Sequence, residues 1–464
     1  MNIRRAGVEL MLLALVVLLF GLTPYPHAFA TAMRQAHAHQ AAGEYGAAIA
    51  AYQQAAGFNP KSPLPWLELG EVFLVQHRFV QATVAFLEAE RLGGGAEAVL
   101  GLAESYAGRQ DWAAALRNLL RAQVSSPDQA SIYVALARAS MAQGKFEQAQ
   151  SYLTQALQLQ PSGAEAANAH ALLGRLLAGD QPTVAASHFR QAGDTDMLAV
   201  LDAVSAESTP ARRALLLGIA ALQRNELSLA HRHFERAVAL APDDAEAIAY
   251  LAHTLDQQGE TVAARQLLEQ AVALDEAPAL VYYFLGTHHR LVGNTEAAQA
   301  ALWQALLHDP ENAAFRAEMA GTFVDQSDYP NAEEWYQGAV EAAPEEVDFH
   351  MMLVHFYLDH LYRVEEGGLP AAQALVELAP EDARAHDLLG WAYHLAGRPA
   401  EALQALQKAL ILDPDLVSAH FHLGSLYVYT SQHDLAGWHL QRATDLDTHG
   451  FYRTRAELLL KDME

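Results

Sequence analysis

The chain has 464 residues, 55 acidic against 29 basic, for a net charge of −26. That balance leaves no basic face for phosphate neutralisation, so nucleic acid is not an expected partner. It has no cysteine, which excludes disulfides, thiolate chemistry and Cys-ligated zinc or iron–sulfur sites, and its 52% hydrophobic content excludes a disordered chain.

The elements begin with a segment, 1–30, that differs from the rest. Arg4 and Arg5 precede an apolar run from Leu10 to Leu22, Pro24 and Pro26 read as a stop to any helix there, and Ala28-Phe29-Ala30 has the small-x-small form of a signal-peptidase site. The run is short for a span, so a cleaved signal peptide and a retained signal anchor or transmembrane helix both fit. Either way the two arginines stay in the cytoplasm and everything after residue 30 is expected outside it, periplasmic or at the cell surface.

From Thr31 a pattern sets in and repeats. Its clearest copy places Trp66, Leu69, Gly70 and Phe73 on one helical face and, after a break at Gln76-His77-Arg78, Ala82, Phe86 and Ala89 on another. That is two short amphipathic helices, A and B, joined by a tight turn. Neither can bury its apolar stripe alone. Closing prolines mark the period: Pro127 and Pro161 stand 34 residues apart. The pattern continues through Ala48, Tyr52 and Ala55; Ala115, Leu119 and Ala122; and Ala149, Leu153 and Ala156. A degenerate fifth copy holds Ala185, Phe189 and Ala192. Residues 195–210 form an irregular connector in which Met197, Leu198, Leu201 and Val204 keep helical spacing. The pattern resumes at Leu217-Gly218 and runs to 448, with one copy disturbed where Asp359 to Leu369 lengthens its turn and helix B lacks the usual alanine and aromatic positions. Phe451 to Asp462 reads as a capping helix.

With its Trp or Leu, Leu-Gly and Tyr on helix A and its Ala, Phe or Tyr, Ala and Pro on and after helix B, the chain resembles the tetratricopeptide repeat family. The expected fold is an all-α, right-handed α-solenoid of about twelve helix–turn–helix units: an N-terminal block at 31–194, the connector at 195–210, a C-terminal block at 211–448 and the cap at 449–464. The sequence shows no nucleotide-binding loop, no G-x-S-x-G and no H-E-x-x-H, and the repeats leave almost no room for an enzyme. The chain is therefore read as non-catalytic, without cofactor or metal. Its 22 histidines include the pairs His231/His233, His288/His289 and His420/His422, but residues one or two apart on a helix point to different sides and do not chelate together. His350, His386 and His420 share one register position and could stack as a pH-sensitive column. Asp325 and Asp328 lack the rest of a calcium loop. Between Glu311 and Asp348, ten carboxylates accompany one cation, Arg316, which fits a solvated face or the docking of a basic segment.

The resemblance implies that helix A lines a concave surface taking an apolar helix or extended peptide from a partner protein. The family's inward positions fall here on Tyr283, Thr287, Arg290, Met351, His355, Trp391, His394, Phe421 and Tyr429. Trp391 leads this set, because Leu389 and Tyr393 already supply the helix A core. The same aromatics could instead pack against neighbouring repeats. The chain's lysines, Lys61, Lys145, Lys408 and Lys461, avoid these positions, which disfavours capture of a peptide's terminal carboxylate. Three roles follow: an extracytoplasmic scaffold for complex assembly, a permanent structural subunit of a membrane complex, or an accessory module presenting substrate to a separate enzyme.

Overall fold

The computed structural model describes residues 25–447 and 450–463. Among them are 26 α-helices: twelve A/B pairs, one unpaired helix at Thr195–Ser205, and a terminal helix at Phe451–Asp462. The fold is the expected all-α repeat array. By internal contacts the chain divides into two compact units, one ending at Leu173 and the other beginning at Gly174, ahead of the connector.

Each pair closes for the same physical reason. Helix B presents Ala-x-x-x-Phe/Leu-x-x-Ala, and its three residues are sealed: Ala82, Phe86 and Ala89 in the second repeat, Ala230, Phe234 and Ala237 in the sixth, and Ala402, Leu406 and Ala409 in the eleventh are all 0% exposed. The large central residue needs a gap on helix A, and glycine supplies it. A Cβ at Gly70 would stand 2.6 Å from the Phe86 ring, and one at Gly390 would stand 2.5 Å from Leu406 Cγ. Between the helices the backbone reverses through one left-handed residue, for example His77 (φ 55°), Asn225 (φ 57°) or Ser327 (φ 59°). The amide after it returns to helix A, as Arg78 N–H does to Phe73 O at 2.8 Å. In three repeats a side-chain cap then starts helix B: Asp111 accepts from the Ala114 amide at 2.9 Å, and Asn294 and Asp328 do the same for theirs.

The connection between repeats is fastened by a different device, six residues after the closing proline. His350 Nε2 meets Pro344 O at 3.0 Å, His386 Nε2 meets Pro380 O at 2.8 Å, and His420 Nε2 meets Pro414 O at 3.0 Å. The Tyr133 hydroxyl does the same to Pro127 O at 2.8 Å, and the Arg316 guanidinium to Pro310 O. The three histidines expected to form a column are thus each tied to their own loop. A donor at this register position satisfies a carbonyl that the proline leaves free at the end of helix B.

Three local departures stand out. The first pair begins with helix Tyr25–Ala41, so Pro26, read as a stop, stands in the first turn, where its missing N–H costs nothing. Phe29 of the Ala28-Phe29-Ala30 motif packs on the core formed by Ala32, Met33 and Ala36. The remainder of the candidate signal or anchor, residues 1–24, lies outside the described residues. Among the described residues no helix is long and apolar enough to cross a membrane. The second departure is helix Thr195–Ser205, which buries Met197, Leu201 and Val204 against Leu177, Ala185, Phe189 and Leu217.

The third departure is the tenth repeat, helices Val347–Asp359 and Leu369–Leu378, which keeps the usual left-handed turn residue, Leu361, and adds a left-handed Arg363 and a π-helical turn at Val364–Gly368. Here Glu333 of the preceding helix B, only 8% exposed, accepts from the Tyr357 hydroxyl at 2.6 Å and from Arg363 Nη1 at 2.9 and 2.8 Å. Burial, and then the bond to Glu333, raises the Tyr357 phenol well above its ordinary range. The expectation that this helix B lacks its packing positions is corrected by counting back from Pro380. Gly368, Ala372 and Leu375 occupy the sealed positions, and all three are buried. The terminal helix covers the last pair, with Ala456 sealed against Phe421, Leu440 and Ala443.

Candidate functional site

The expected partner-binding positions on helix A of the second unit divide into covered and open residues. Tyr283 stacks on Phe315 of the next helix A (5.1 Å between centroids, 27°) and fills the core between repeats. Burial, then Glu318, raises its phenol. Thr287 turns its hydroxyl inward to donate to Phe284 O at 2.9 Å. Arg290 reaches across to the ninth repeat, donating to Asp325 Oδ2 at 2.6 Å and Glu318 Oε1 at 3.2 Å. Burial pulls this guanidinium down, but its bonds to the two carboxylates hold it above its ordinary range. The guanidinium lies where a Cβ on Gly321 would intrude, 2.6 Å from its central carbon. Asp325 is therefore an arginine partner, while Asp328 caps helix Tyr329–Ala342 by accepting from the Asn331 amide.

Two of the expected lining residues are core. Met351 and Phe421 are each 8% exposed. Met351 packs with Val354, Leu388 and Ala392, and Phe421 lies beneath Tyr452 of the terminal helix, 5.3 Å between centroids. A partner cannot reach either as a lining residue, because the next helix already occupies that side. His355 is exposed and faces Asp359 at 3.4 Å.

The open part of the site belongs to the eleventh and twelfth repeats, helices Ala383–Leu395 and Val417–Tyr429. The Trp391 indole lies flat on His422 (4.3 Å, 14°) and against His394 (5.0 Å, 27°), and His394 meets Tyr429 edge to face at 5.4 Å. His422 is locked from below: its Nδ1–H donates to Asp387 Oδ1 at 2.8 Å, with both side chains buried. A buried carboxylate thus fixes the imidazole that fixes the indole. Tyr429, 64% exposed, forms the outer step. His394 Nδ1 is buried with no hydrogen-bond partner among the described residues, and burial, then His422, lowers this imidazole below its ordinary range. The result is a stepped aromatic surface. It suits apolar or aromatic side chains.

Sequence reasoning missed Asp387 and reached His422 only through its pairing with His420. In fact His422 belongs with Asp387, while His420 Nδ1 faces His439 Nδ1 at 3.0 Å. The same arrangement recurs at His288, whose Nδ1–H donates to Asp256 at 2.9 Å. The available signal was the repetition itself: an Asp on one helix A followed by a His on the next. Among the described residues, no group of three or more metal-ligating side chains comes together.

Comparison with known proteins agrees with this architecture. Family models described as tetratricopeptide repeat match residues 33–97, 130–162, 221–285, 285–347 and 383–416. The chain belongs to the tetratricopeptide repeat family and, as such, is a scaffold for protein–protein interaction. Among curated proteins it is similar to the Protein CTR9 homolog of Arabidopsis thaliana, 25% identical over 47% of this chain and 21% of that one. It is also similar to Cellulose synthase operon protein C of Pseudomonas fluorescens, 25% identical over 51% of this chain and 19% of that one. The chain thus spans about a fifth of the length of these relatives. Among solved structures, yeast Tom70 aligns over 94% of this chain and 96% of its own, at 17% identity and a TM-score of 0.43.

Proposed function

We propose that this protein is a non-catalytic scaffold working outside the cytoplasm, held there by or after its N-terminal segment. In this reading it assembles a complex by seating an apolar helix or extended peptide of a partner on helix A of its last two repeats. The observation that carries the reading is the Trp391–His394–Tyr429 surface. Its rings are braced from behind by His422 and Asp387, yet Tyr429 stays exposed where the core has no use for it. Rigid aromatics lose little side-chain entropy on binding and serve as anchors. The location rests on Arg4, Arg5 and the apolar run after them.

A second reading, an accessory module presenting substrate to a separate enzyme, draws support from one relative, whose name places it in a cellulose synthase operon. Affinity purification from detergent-solubilised membranes, with N-terminal sequencing of the recovered chain, tests location and partner together. Trp391→Ala with Tyr429→Ala is expected to reduce recovery of the partner roughly tenfold or more while circular dichroism and melting stay near wild type. Undiminished recovery would remove this surface as the site. Co-purification of an enzyme whose activity depends on this chain would favour the second reading.

A further inference from the structure

The helix B side of the eighth and ninth repeats carries a second surface that the helix A reading does not use. On helix Thr295–His308, Trp303 is 50% exposed and Leu307, one turn later, 71%. The core beneath is already filled by Leu302, Ala305 and Leu306, so packing does not account for an indole at 303. Trp335, on helix Tyr329–Ala342, meets Trp303 edge to face at 5.3 Å and 79°. Between the two helices lies a groove of about 520 Å3, lined by both indoles and Leu307, with Pro310 and Gly338 beneath and Glu334 and Glu341 on its wall.

The charges in this groove are unequal. Arg316 lines it, but its guanidinium is committed to Gly338 O at 3.1 Å, to Pro310 O at 3.0 and 2.8 Å, and to Glu311 at 3.1 Å. A Cβ at Gly338 would stand 3.2 Å from Arg316 Nη1, so a larger residue there would crowd this staple. Glu334 and Glu341 are exposed and form no ion pair among the described residues. Two unpaired carboxylates beside two indole rings suit a cation with an apolar stem: the ring faces attract it electrostatically, and the carboxylates meet its charge.

We propose that this groove receives a basic segment of a partner protein. An Arg or Lys stem lies across Trp303 and Trp335, its charge faces Glu334 and Glu341, and an apolar neighbour rests on Leu307. Charge selects this occupant. The stretch from Glu311 to Asp348 carries ten carboxylates and the chain a net −26, so a second copy or an anionic lipid surface is repelled.

The test uses the full chain and a fluorescein-labelled peptide of about twelve residues alternating Arg and Leu, with the same peptide carrying citrulline for Arg as its uncharged twin. By anisotropy the Arg peptide should bind roughly tenfold more tightly than the citrulline peptide, and less so as salt rises. Trp303→Ala, and separately Glu334→Gln with Glu341→Gln, should each weaken it roughly fivefold. Glu147→Gln with Glu457→Gln, which removes the same charge from exposed positions elsewhere, should leave binding unchanged. Equal binding of the two peptides overturns the proposal, as does equal loss in both double variants, since the peptide would then read overall charge alone. A dimer in sedimentation that Trp303→Ala dissolves would assign the groove to a second copy and also overturn it.

Discussion

In the second repeat the large residue sits on helix B and the small one on helix A: the Phe86 ring lies between Gly70 and Gly101, where added Cβ atoms would stand 2.6 and 2.3 Å from it. In the tenth repeat the sizes are exchanged. Val354 stands at the helix A position that glycine holds in the second, eleventh and twelfth repeats, and Ala372 stands where helix B elsewhere carries Phe, Tyr or Leu. Tyr357 of helix A, at the register held by Phe73, Tyr393 and Tyr427 in those repeats, covers Gly367 in the lengthened turn, where a Cβ would stand 2.5 Å from Tyr357 Cε1. What the repeat conserves is therefore the summed volume across the pair. Which helix supplies it is free, provided the facing residue yields. The exchange has a polar consequence as well: with the tyrosine drawn under the turn, its hydroxyl is buried and needs Glu333, and Glu333 in turn needs Arg363.

The largest expected effect breaks the ordinary arrangement. Phe86→Ala empties a site shared by two glycines and should cost about 3–5 kcal/mol in urea unfolding, with amide exchange rising in helices Leu64–Val75 and Gly95–Gly108. Unchanged exchange in the second of these would show that the ring serves one repeat only. Next, Glu333→Ala should cost about 3 kcal/mol, because it takes away the acceptor of the buried Tyr357 O–H and leaves that oxygen only its bond from Gln337 Nε2, and the lost protection should concentrate in residues 347–378. A uniform loss along the chain would mean the glutamate has no local role.

Size exchange itself is tested at smaller cost. Gly70→Ala should destabilise by about 2 kcal/mol and be relieved by Phe86→Leu, while Ala372→Leu should be damaging alone and relieved by Val354→Gly. Additive pairs would refute the volume argument. Acid gives the smallest effect and sets a boundary on the comparison, since the imidazoles it acts on lie outside both repeats. His233 is held near a pKa of about 4, by burial first and Arg232 second, and His439 near about 4, by burial first and His420 second. The unfolded chain binds these protons near pH 6.5 and the folded chain refuses them, so stability is full above that pH and falls toward pH 4. At pH 5.5, His233 alone, 5% exposed, should remove roughly 1 kcal/mol, and exchange should rise first in helix Leu227–Leu240 rather than in either compared repeat.

The helix pairs were legible because each repeat states its pattern locally: alanine, a large residue and alanine at fixed steps, closed by proline. The tenth repeat hid its helix B because the pattern was sought by residue type, when Gly368, Ala372 and Leu375 keep the positions and alter the sizes. The site was legible to the same depth. Register placed Trp391, His394 and Tyr429 on one side of helix A, and the structure gathers them. Register also placed Met351 and Phe421 there, and could not show that neighbouring helices, Tyr452's among them, would cover them. Coverage is a long-range property, and no spacing within one helix encodes it.

The histidines that fasten each loop to its proline carbonyl illustrate how one bond can be indifferent to protons in some repeats and vulnerable in another. An imidazole can offer Nε2–H in either charge state, so the bonds of His350 and His386 to Pro344 and Pro380 make no demand on Nδ1. His420 lacks that freedom. With Nε2–H given to Pro414, its Nδ1 must accept from His439, and a second proton there would set two hydrogens against each other. The last three repeats thus carry two rivets that leave Nδ1 out of the bond and one, in the last pair beside the terminal cap, that holds only while Nδ1 stays free of a proton.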